Sequence, residues 1–319
     1  MSNVLVIAEH LGGKLNAATA KTVSAAAAIA GAQIDVLVLA ADPQDPYALD
    51  AVRLASGKDV RASVAIRSEI SDLIERWHGK GRLHYAVTPR FAPTSTPEQL
   101  ELAGKLLGEY PDLYMHTHLS ENRKEIEWVK ELFPERKGYL DVYDHHKLIG
   151  PRAVFAHGVH LCDDECKRLA ETGSAVAFCP TSNLFLGSGL FDLNKLEAHG
   201  VRVGLGTDVG AGTSFSQLQS LNEAYKIMQL QGKKLDPFKS LYLATLGGAN
   251  ALYLNDKLGN FLPGKDADFL VLDYNATPLM SYRMQQAKSL EERLFALTML
   301  GDDRAVKETF AAGVSVHQR

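Results

Sequence analysis

Residues 115–122 carry the sequence Met-His-Thr-His-Leu-Ser-Glu-Asn, and the interpretation of the whole chain starts from them. The apolar pair Leu113 and Tyr114 precedes this stretch and a helical pattern follows it. The pattern therefore predicts that His118 ends a strand and that Glu121 lies on the loop leaving it. A neutral imidazole is a good Zn²⁺ ligand. A nearby carboxylate that is not a ligand can carry protons to and from a metal-bound water.

Two further predicted strand ends carry groups suited to the same chemistry. They are Ala156-His157-Gly158 and Gly206-Thr207-Asp208. A single histidine in such a position is more often an ordinary core or surface residue than a ligand. Histidine and carboxylate side chains at three strand ends occur together by chance less often than a single such residue. This combination indicates a metal-dependent hydrolase.

Composition and charge restrict the classes of protein to consider. The chain has 319 residues, of which 46% are hydrophobic and 23% charged, as in a globular enzyme. Its net charge of −4 argues against a nucleic-acid or anionic-membrane partner. The three cysteines form no CxxC pair, which fits a reducing cytoplasm. The apolar start is too short to cross a bilayer, so we expect a cytoplasmic protein without membrane contact.

The pattern of apolar residues divides the chain into three parts. In residues 1–66, two buried strands at 3–8 and 34–40 and a helix at 16–31 predict a βαβ unit followed by a junction.

From residue 67 to 255, five strands alternate with helices, and polar residues follow the strands. This order predicts an α/β domain, either a barrel or a doubly wound sheet. Polar groups at the carboxyl ends of strands favour the barrel. Residues 256–319 predict a small β appendage with one helix at 288–300 and a final strand at 312–316.

A set of motifs over residues 68–319 resembles the guanine deaminases of the amidohydrolase superfamily. The motifs are Val87-Thr88-Pro89-Arg90-Phe91, Thr117-His118-Leu119-Ser120-Glu121-Asn122, Ala156-His157-Gly158, Cys179-Pro180-Thr181-Ser182-Asn183, Gly204-Leu205-Gly206-Thr207-Asp208, Ala244-Thr245-Leu246-Gly247-Gly248 and Gly301-Asp302-Asp303-Arg304. The resemblance implies an incomplete amidohydrolase-type (β/α)8 barrel with a small C-terminal β appendage, preceded here by the βαβ unit.

The same resemblance assigns expected roles to individual residues. It implies that His118 and Asp208 bind a catalytic Zn²⁺, and that Asp208 also accepts a proton from the attacking water. Glu121 would carry a proton to the purine ring, and His157 would support the water or the intermediate. We expect His118, Glu121 and Asp208 to contact the substrate as well.

Two further residues would hold the substrate. The planar guanidinium of Arg90 suits the purine oxygen, and Phe91 would hold the ring through its backbone and face. The implied reaction is the hydrolytic deamination of guanine to xanthine and ammonia, a step of purine catabolism. Family members are commonly dimers, which implies a homodimer. Another purine or a triazine stays open as the substrate.

The chain departs from the resembled family near its start. The family carries His-x-His on its first barrel strand, and no such motif occurs before His84. The literal His-x-His here is His116-Thr117-His118, whose two histidines would share one face of a strand. Whether His116 substitutes as a ligand is left open.

The first forty residues have a resemblance of their own. Their strand, the turn Ala8-Glu9-His10 and an alanine-rich segment resemble the start of the electron transfer flavoprotein alpha subunit. Two alternatives to a working deaminase follow. One is a catalytically inactive chimeric fragment, from a fused or misassembled reading frame. The other is electron transfer through these forty residues.

Overall fold

The structure is a computed structural model. It describes the backbone of residues 3–8, 10–11, 14–15, 33–38 and 61–64, all of residues 67–319, and side chains from Ile70 onward. The described residues divide into two compact units. One lies within residues 1–85 and 96–102, and the other within residues 86–95 and 103–319.

The first unit contains a three-stranded parallel sheet. Its elements are β1 (Asn3–Ala8), β2 (His10–Leu11), β3 (Lys14–Leu15), β4 (Gln33–Val38), β5 (Arg61–Val64) and α1 (Arg67–Trp77). The sheet has the order β1-β4-β5, while β2 and β3 pair antiparallel. The parallel pairing of β1 with β4 confirms the two predicted strands of the βαβ unit. The helix predicted over 16–31 lies outside the described residues.

The second unit is built on a five-stranded parallel sheet with the order β10-β9-β8-β7-β6. Its strands are β6 (Ala86–Val87), β7 (Tyr114–Leu119), β8 (Ala153–His157), β9 (Ala175–Phe178) and β10 (Arg202–Leu205). The helices that follow these strands in the chain are α2 (Pro97–Glu109), α3 (Arg123–Leu132), α4 (Tyr139–His145), α5 (Asp163–Thr172), α6 (Pro180–Phe185) and α7 (Leu193–Ala198). Each strand pairs with its neighbour in the chain, as in the wall of a (β/α)8 barrel. The predicted α/β class is confirmed.

Most residues of these strands are apolar and buried, as in other parallel sheets, whereas His116 of β7 and Arg202 of β10 are exposed. The side chains of Met115, Leu119, Phe155 and Phe178 are almost completely buried. The ring of Phe178 also stacks on Phe191, with a centroid distance of 4.3 Å. Burial of this apolar surface holds the strand ends in place.

Two helices form in segments whose local sequence is typical of loops. Helix α4 ends at His145, beside the polar residues Asp144 and His146, and α6 lies inside the glycine-containing segment of residues 180–189. Helix α4 buries the rings of Tyr139 and Tyr143, and Pro180 opens α6 at a position where its missing N–H costs nothing.

The remainder of the second unit joins helices to an antiparallel sheet. Its elements are α8 (Gln217–Leu230), α9 (Pro237–Ala244), α10 (Leu246–Ala251), β11 (Phe269–Leu272), α11 (Pro278–Gln286), α12 (Leu290–Leu300), β12 (Val306–Ala311) and β13 (Val314–Gln318). Strand β12 pairs with both β11 and β13. The small C-terminal sheet was predicted, whereas α11 and β12 were missed.

A buried apolar cluster holds these C-terminal elements against α8. It contains Leu218, Met280, Leu297 and Ala305. Helices α9 and α10 are separated at Thr245, whose backbone leaves the helical region. Among the described helices, none has the length and apolar character needed to cross a bilayer.

The close approach of α2 to residue 146 gives a test of the packing. A Cβ added at Gly104 would lie 2.0 Å from the carbonyl oxygen of His146, whereas one added at Gly108 meets nothing within 4 Å. We expect Gly104→Ala to lower the free energy of unfolding by about 1–3 kcal/mol through this overlap. Gly108→Ala, on the same helix, should raise it by about 0.5–1 kcal/mol. Urea denaturation measures both, and equal effects would contradict the packing described.

The three cysteines give a second test, of whether the chain reaches this fold in solution. Cys162 is exposed, while Cys166 and Cys179 are buried. Burial raises the pKa of the Cys166 thiol to about 11 and that of Cys179 to about 12. Since the thiolate is the reactive form, we expect a disulfide reagent to modify one cysteine of the native chain at pH 8 and all three in guanidinium. Rapid reaction of all three without denaturant would show that the sheet is not formed.

Candidate active site

The parallel register of the sheet brings the predicted site residues to one edge. In the pairing of β7 with β8, His118 lies opposite Ala156 and Leu119 opposite His157. Strand β10 ends at Leu205, and Asp208 follows three residues later. All of these positions lie at the carboxyl ends of parallel strands, where this type of sheet presents its functional groups.

The backbone is strained at the same three strand ends. Ser120, His157 and Asp208 have positive φ angles of 48°, 74° and 49°. Side chains other than glycine adopt this left-handed region at a cost of order 1–3 kcal/mol, and such strain collects at functional sites. Neighbouring bonds hold the strained turns: the His160 N–H donates to the Ser120 carbonyl at 3.1 Å, and the Gly158 N–H donates to Leu119 at 2.9 Å.

His157 is buried with one ring nitrogen free of hydrogen bonds. Its Nδ1 lies 2.9 Å from Oδ1 of Asn183, an oxygen that only accepts, so the proton is on Nδ1. The bare Nε2 has no hydrogen-bond partner. It lies 3.7 Å from Glu121 Oε2 and 3.8 Å from Asp208 Oδ2. These distances are too long for direct hydrogen bonds. The ring nitrogen and the two carboxylates therefore lie close together without bonding to each other.

His118 is oriented in a similar way by a backbone carbonyl. Its Nδ1 lies 2.7 Å from the oxygen of Arg90, so Nδ1 donates and Nε2 keeps its lone pair. Its ring stacks on that of His157 at a centroid distance of 5.2 Å. In its neutral form each imidazole therefore has a fixed tautomer, with the lone pair on Nε2.

The loop that carries Arg90 is fastened to β7 by two hydroxyl groups. Thr117 Oγ1 donates to the Arg90 carbonyl at 2.9 Å. The Tyr143 hydroxyl accepts from the Ala92 N–H and donates to the His118 carbonyl, both at 2.9 Å. Burial raises the pKa of Tyr143 to about 12, so this hydroxyl keeps its proton at neutral pH.

Aromatic rings line the space beside His118. The Phe91 ring lies 5.7 Å from the His118 ring and 6.5 Å from that of Trp128. The Arg90 guanidinium lies 4.5 Å from the centroid of Phe91. A planar cation, an aromatic face and two imidazoles in a row suit a flat, polar ring as a ligand.

Some residues of this arrangement were not identified from the sequence. Asn183 lies in a motif noted above but was given no role, and Tyr143 lies in the missed helix α4. Ser188 donates from Oγ to Glu121 Oε1 at 2.8 Å. His160, predicted as a surface residue, is half-buried, and its Nε2 donates to the Ser188 carbonyl at 2.8 Å. Such partners are distant in sequence, so no local pattern marks them.

The donor groups match Zn²⁺ in kind but not in number. His118 has a bare nitrogen, and Asp208 is a carboxylate, as a zinc ligand set requires. Within residues 70–319, however, no three histidine, cysteine or acidic side chains are placed to hold a metal ion together. His116 is exposed to solvent, yet desolvation by surrounding protein atoms, and then repulsion from His118 when that ring is protonated, lower its pKa. Its neutral form is thus favoured, which is the form that binds metals.

Comparisons with known sequences identify the family of the chain. The sequence profile described as "Amidohydrolase family" matches residues 18–316. Guanine deaminase of Escherichia coli (strain K12) is 57% identical over 248 residues, which are 78% of this chain and 56% of that protein. The probable guanine deaminase of Deinococcus radiodurans is 46% identical over 77% of this chain and 57% of that protein. This chain thus spans little more than half the length of these curated relatives.

Solved structures give the same result for the fold. E. coli guanine deaminase superimposes with a TM-score of 0.82 and 43% identity, over 100% of this chain and 82% of that one. Guanine deaminase from C. acetobutylicum, solved with guanine bound in its active site, has a TM-score of 0.73 and 25% identity, over 94% and 75% of the two chains. The profile covers nearly all of the chain, and the fold is the α/β fold of these enzymes. The chain belongs to the amidohydrolase family.

Proposed function

We propose that this chain catalyses the hydrolytic deamination of guanine to xanthine and ammonia. One observation carries the proposal: the bare Nε2 of buried His157 faces the carboxylates of Glu121 and Asp208 at 3.7 and 3.8 Å. A base and two carboxylates around one small space suit the activation of water and the transfer of its protons. The identity with guanine deaminases supports guanine as the substrate.

The substrate ring would lie along the aromatic residues beside His118. Phe91 would contact its face, and the Arg90 guanidinium would donate to the ring oxygen. Buried groups that hydrogen-bond the ring reject analogues that lack the matching atoms. Arg90 would therefore favour guanine over purines that lack the ring oxygen, whereas Phe91 would hold any purine ring.

The side chains at the strand ends would then move the protons. Zn²⁺, held by His118 and Asp208 with further ligands, would supply a water whose pKa is near neutrality. Asp208 takes a proton from the attacking water, and His157 Nε2 accepts a hydrogen bond from it. Glu121 gives a proton to the ring nitrogen beside the amino-bearing carbon. Asp208 then passes its proton to the amino group, the C–N bond breaks and ammonia leaves. The proton of the new C–OH group returns to Glu121 as the carbonyl forms, so guanine and water become xanthine and ammonia.

We propose three further properties of this chain. They are a homodimer, a cytoplasmic location, and domain boundaries after residues 66 and 255. The resemblance of residues 1–40 to an electron transfer flavoprotein also stays a prediction, although the amidohydrolase profile begins inside that segment, at residue 18. A triazine substrate has weaker support, because the triazine hydrolase structures are about 20% identical and share only the fold.

The first experiment measures zinc per chain and ammonia release from guanine on the same sample. We expect guanine-dependent ammonia release, and we expect Glu121→Gln to reduce kcat by at least about 100-fold because it removes the proton donor. Guanine binding, measured by equilibrium dialysis, should persist in this variant.

The reference for this experiment is Glu127→Gln, a change on the following helix outside the site. It should leave ammonia release as it is. A folded chain that neither binds nor deaminates guanine would contradict the proposal and favour the inactive fragment.

A second experiment tests the attachment of the Arg90 loop. Tyr143→Phe removes the hydroxyl that joins Ala92 to His118, and we expect it to lower the free energy of unfolding by about 1–3 kcal/mol. It should also weaken guanine binding, because Phe91 is no longer held beside β7.

Tyr253→Phe is the matched control, since the Tyr253 hydroxyl donates to the Gly173 carbonyl at 2.7 Å, away from these residues. It should destabilise the chain without changing the guanine dissociation constant. Equal effects of both variants on binding would overturn the role given to Tyr143.

A further inference from the structure

Ser188 makes the hydrogen bond that fixes the Glu121 carboxylate. Its Oγ lies 2.8 Å from Glu121 Oε1, although the two residues are 67 positions apart in the chain. Only 6% of Ser188 is exposed. With Oε1 held in this way, the other oxygen of Glu121 is the one that faces His157 Nε2. The bond therefore selects the rotamer in which the carboxylate points into the site.

The backbone of Ser188 is itself held from two sides. Its N–H donates to the Asn183 carbonyl at 2.8 Å, and its carbonyl accepts from His160 Nε2 at 2.8 Å. His160 also donates its own N–H to the Ser120 carbonyl. One residue thus connects the loop of Ser188 to the strained turn that precedes Glu121.

The glycines on either side of Ser188 permit this close approach. Gly187 and Gly189 have φ angles of +68° and +135°, which side chains rarely adopt. A Cβ on Gly189 would also lie 3.0 Å from Val159 and 3.2 Å from His160. The backbone of the segment Gly187-Ser188-Gly189 therefore places the Ser188 hydroxyl beside Glu121.

A hydroxyl suits a carboxylate that changes its protonation state. The Ser188 hydroxyl can donate to the ionised carboxylate, and after rotation about its Cβ–Oγ bond it can accept from the protonated acid. An ammonium or guanidinium in the same place could only donate, and it would oppose protonation. Serine therefore holds Glu121 in both states.

From these contacts we infer that Ser188 is a positioning residue that aims the Glu121 carboxylate at the reacting atoms throughout the proton transfer. The inference rests on the proposed function of Glu121. It extends that function to the loop of residues 187–189, with His160 as the support of the loop. Ser188 acts through Glu121 and needs no contact with the substrate.

The test uses the full chain with Ser188→Ala, Ser188→Thr and the control Ser220→Ala. The Ser220 hydroxyl is buried without a hydrogen-bond partner. Ser220→Ala therefore removes a buried hydroxyl, as Ser188→Ala does, but breaks no hydrogen bond. We expect Ser188→Ala to lower kcat roughly tenfold with little change in KM, because a hydrogen bond to a charged group is lost. Ser188→Thr should restore most of kcat, and Ser220→Ala should leave both constants unchanged.

A double-mutant comparison separates positioning from a general structural effect. If Ser188 acts through Glu121, Ser188→Ala should have no further effect on kcat in the Glu121→Gln background. An undiminished tenfold effect there, or a loss in kcat that threonine does not restore, would overturn the inference.

Crystal structures of the parent and of Ser188→Ala decide the matter even if the parent proves inactive. We expect the Glu121 carboxylate of the variant to leave its place beside His157 Nε2. An unchanged carboxylate would refute the role of Ser188. A parent without guanine binding or turnover refutes only the proposed function.

Discussion

The hydrogen bond from His157 Nδ1 to Asn183 is the constraint on which the site depends. It fixes the tautomer of a buried imidazole and leaves Nε2 unpaired in the interior. An unpaired buried polar atom and a left-handed backbone at the same residue each cost free energy. The packed strands β8 and β9 supply the stability that offsets this cost, since Phe155 and Phe178 are completely buried there. Residues that lower the stability of the fold in this way are found mainly at functional sites.

The remaining groups are arranged around that nitrogen by contacts between segments that follow different strands. The Arg90 carbonyl orients His118, and the Tyr143 hydroxyl joins the Arg90 loop to the same strand. Ser188 orients Glu121 from the far side of the sheet edge. Each orienting group lies on a different βα segment. The geometry therefore exists only when these segments have packed together, and fixed groups of this kind lower the reorganisation needed during reaction.

The sequence predicts the strands and helices that local apolar periodicity determines. It does not predict the elements and partners that depend on contacts between distant residues. Strands β7 and β8 and helices α2 and α5 follow from apolar periodicity and from stop signals such as Gly173. Helix α4 was missed because its stability comes from the burial of aromatic rings against other segments. Such tertiary contacts cannot be recognised in a short stretch of sequence. Similarly, the motifs marked His118 and Glu121. Their partners Tyr143 and Ser188 were found only in the fold, since a single tyrosine or serine has no local signature.

The proposed function places different requirements on the binding of guanine and on its turnover. The aromatic face of Phe91, the oriented Glu121 and the bare nitrogen of His157 are built within residues 90–188, and their bonds do not involve a metal. Zn²⁺ coordination, in contrast, needs at least three protein ligands, and residues 70–319 do not assemble three. Under the proposed function, guanine binding should survive wherever the sheet edge forms, whereas turnover also requires a complete ligand set. His116 has a lowered pKa and lies two residues before His118 on the same strand.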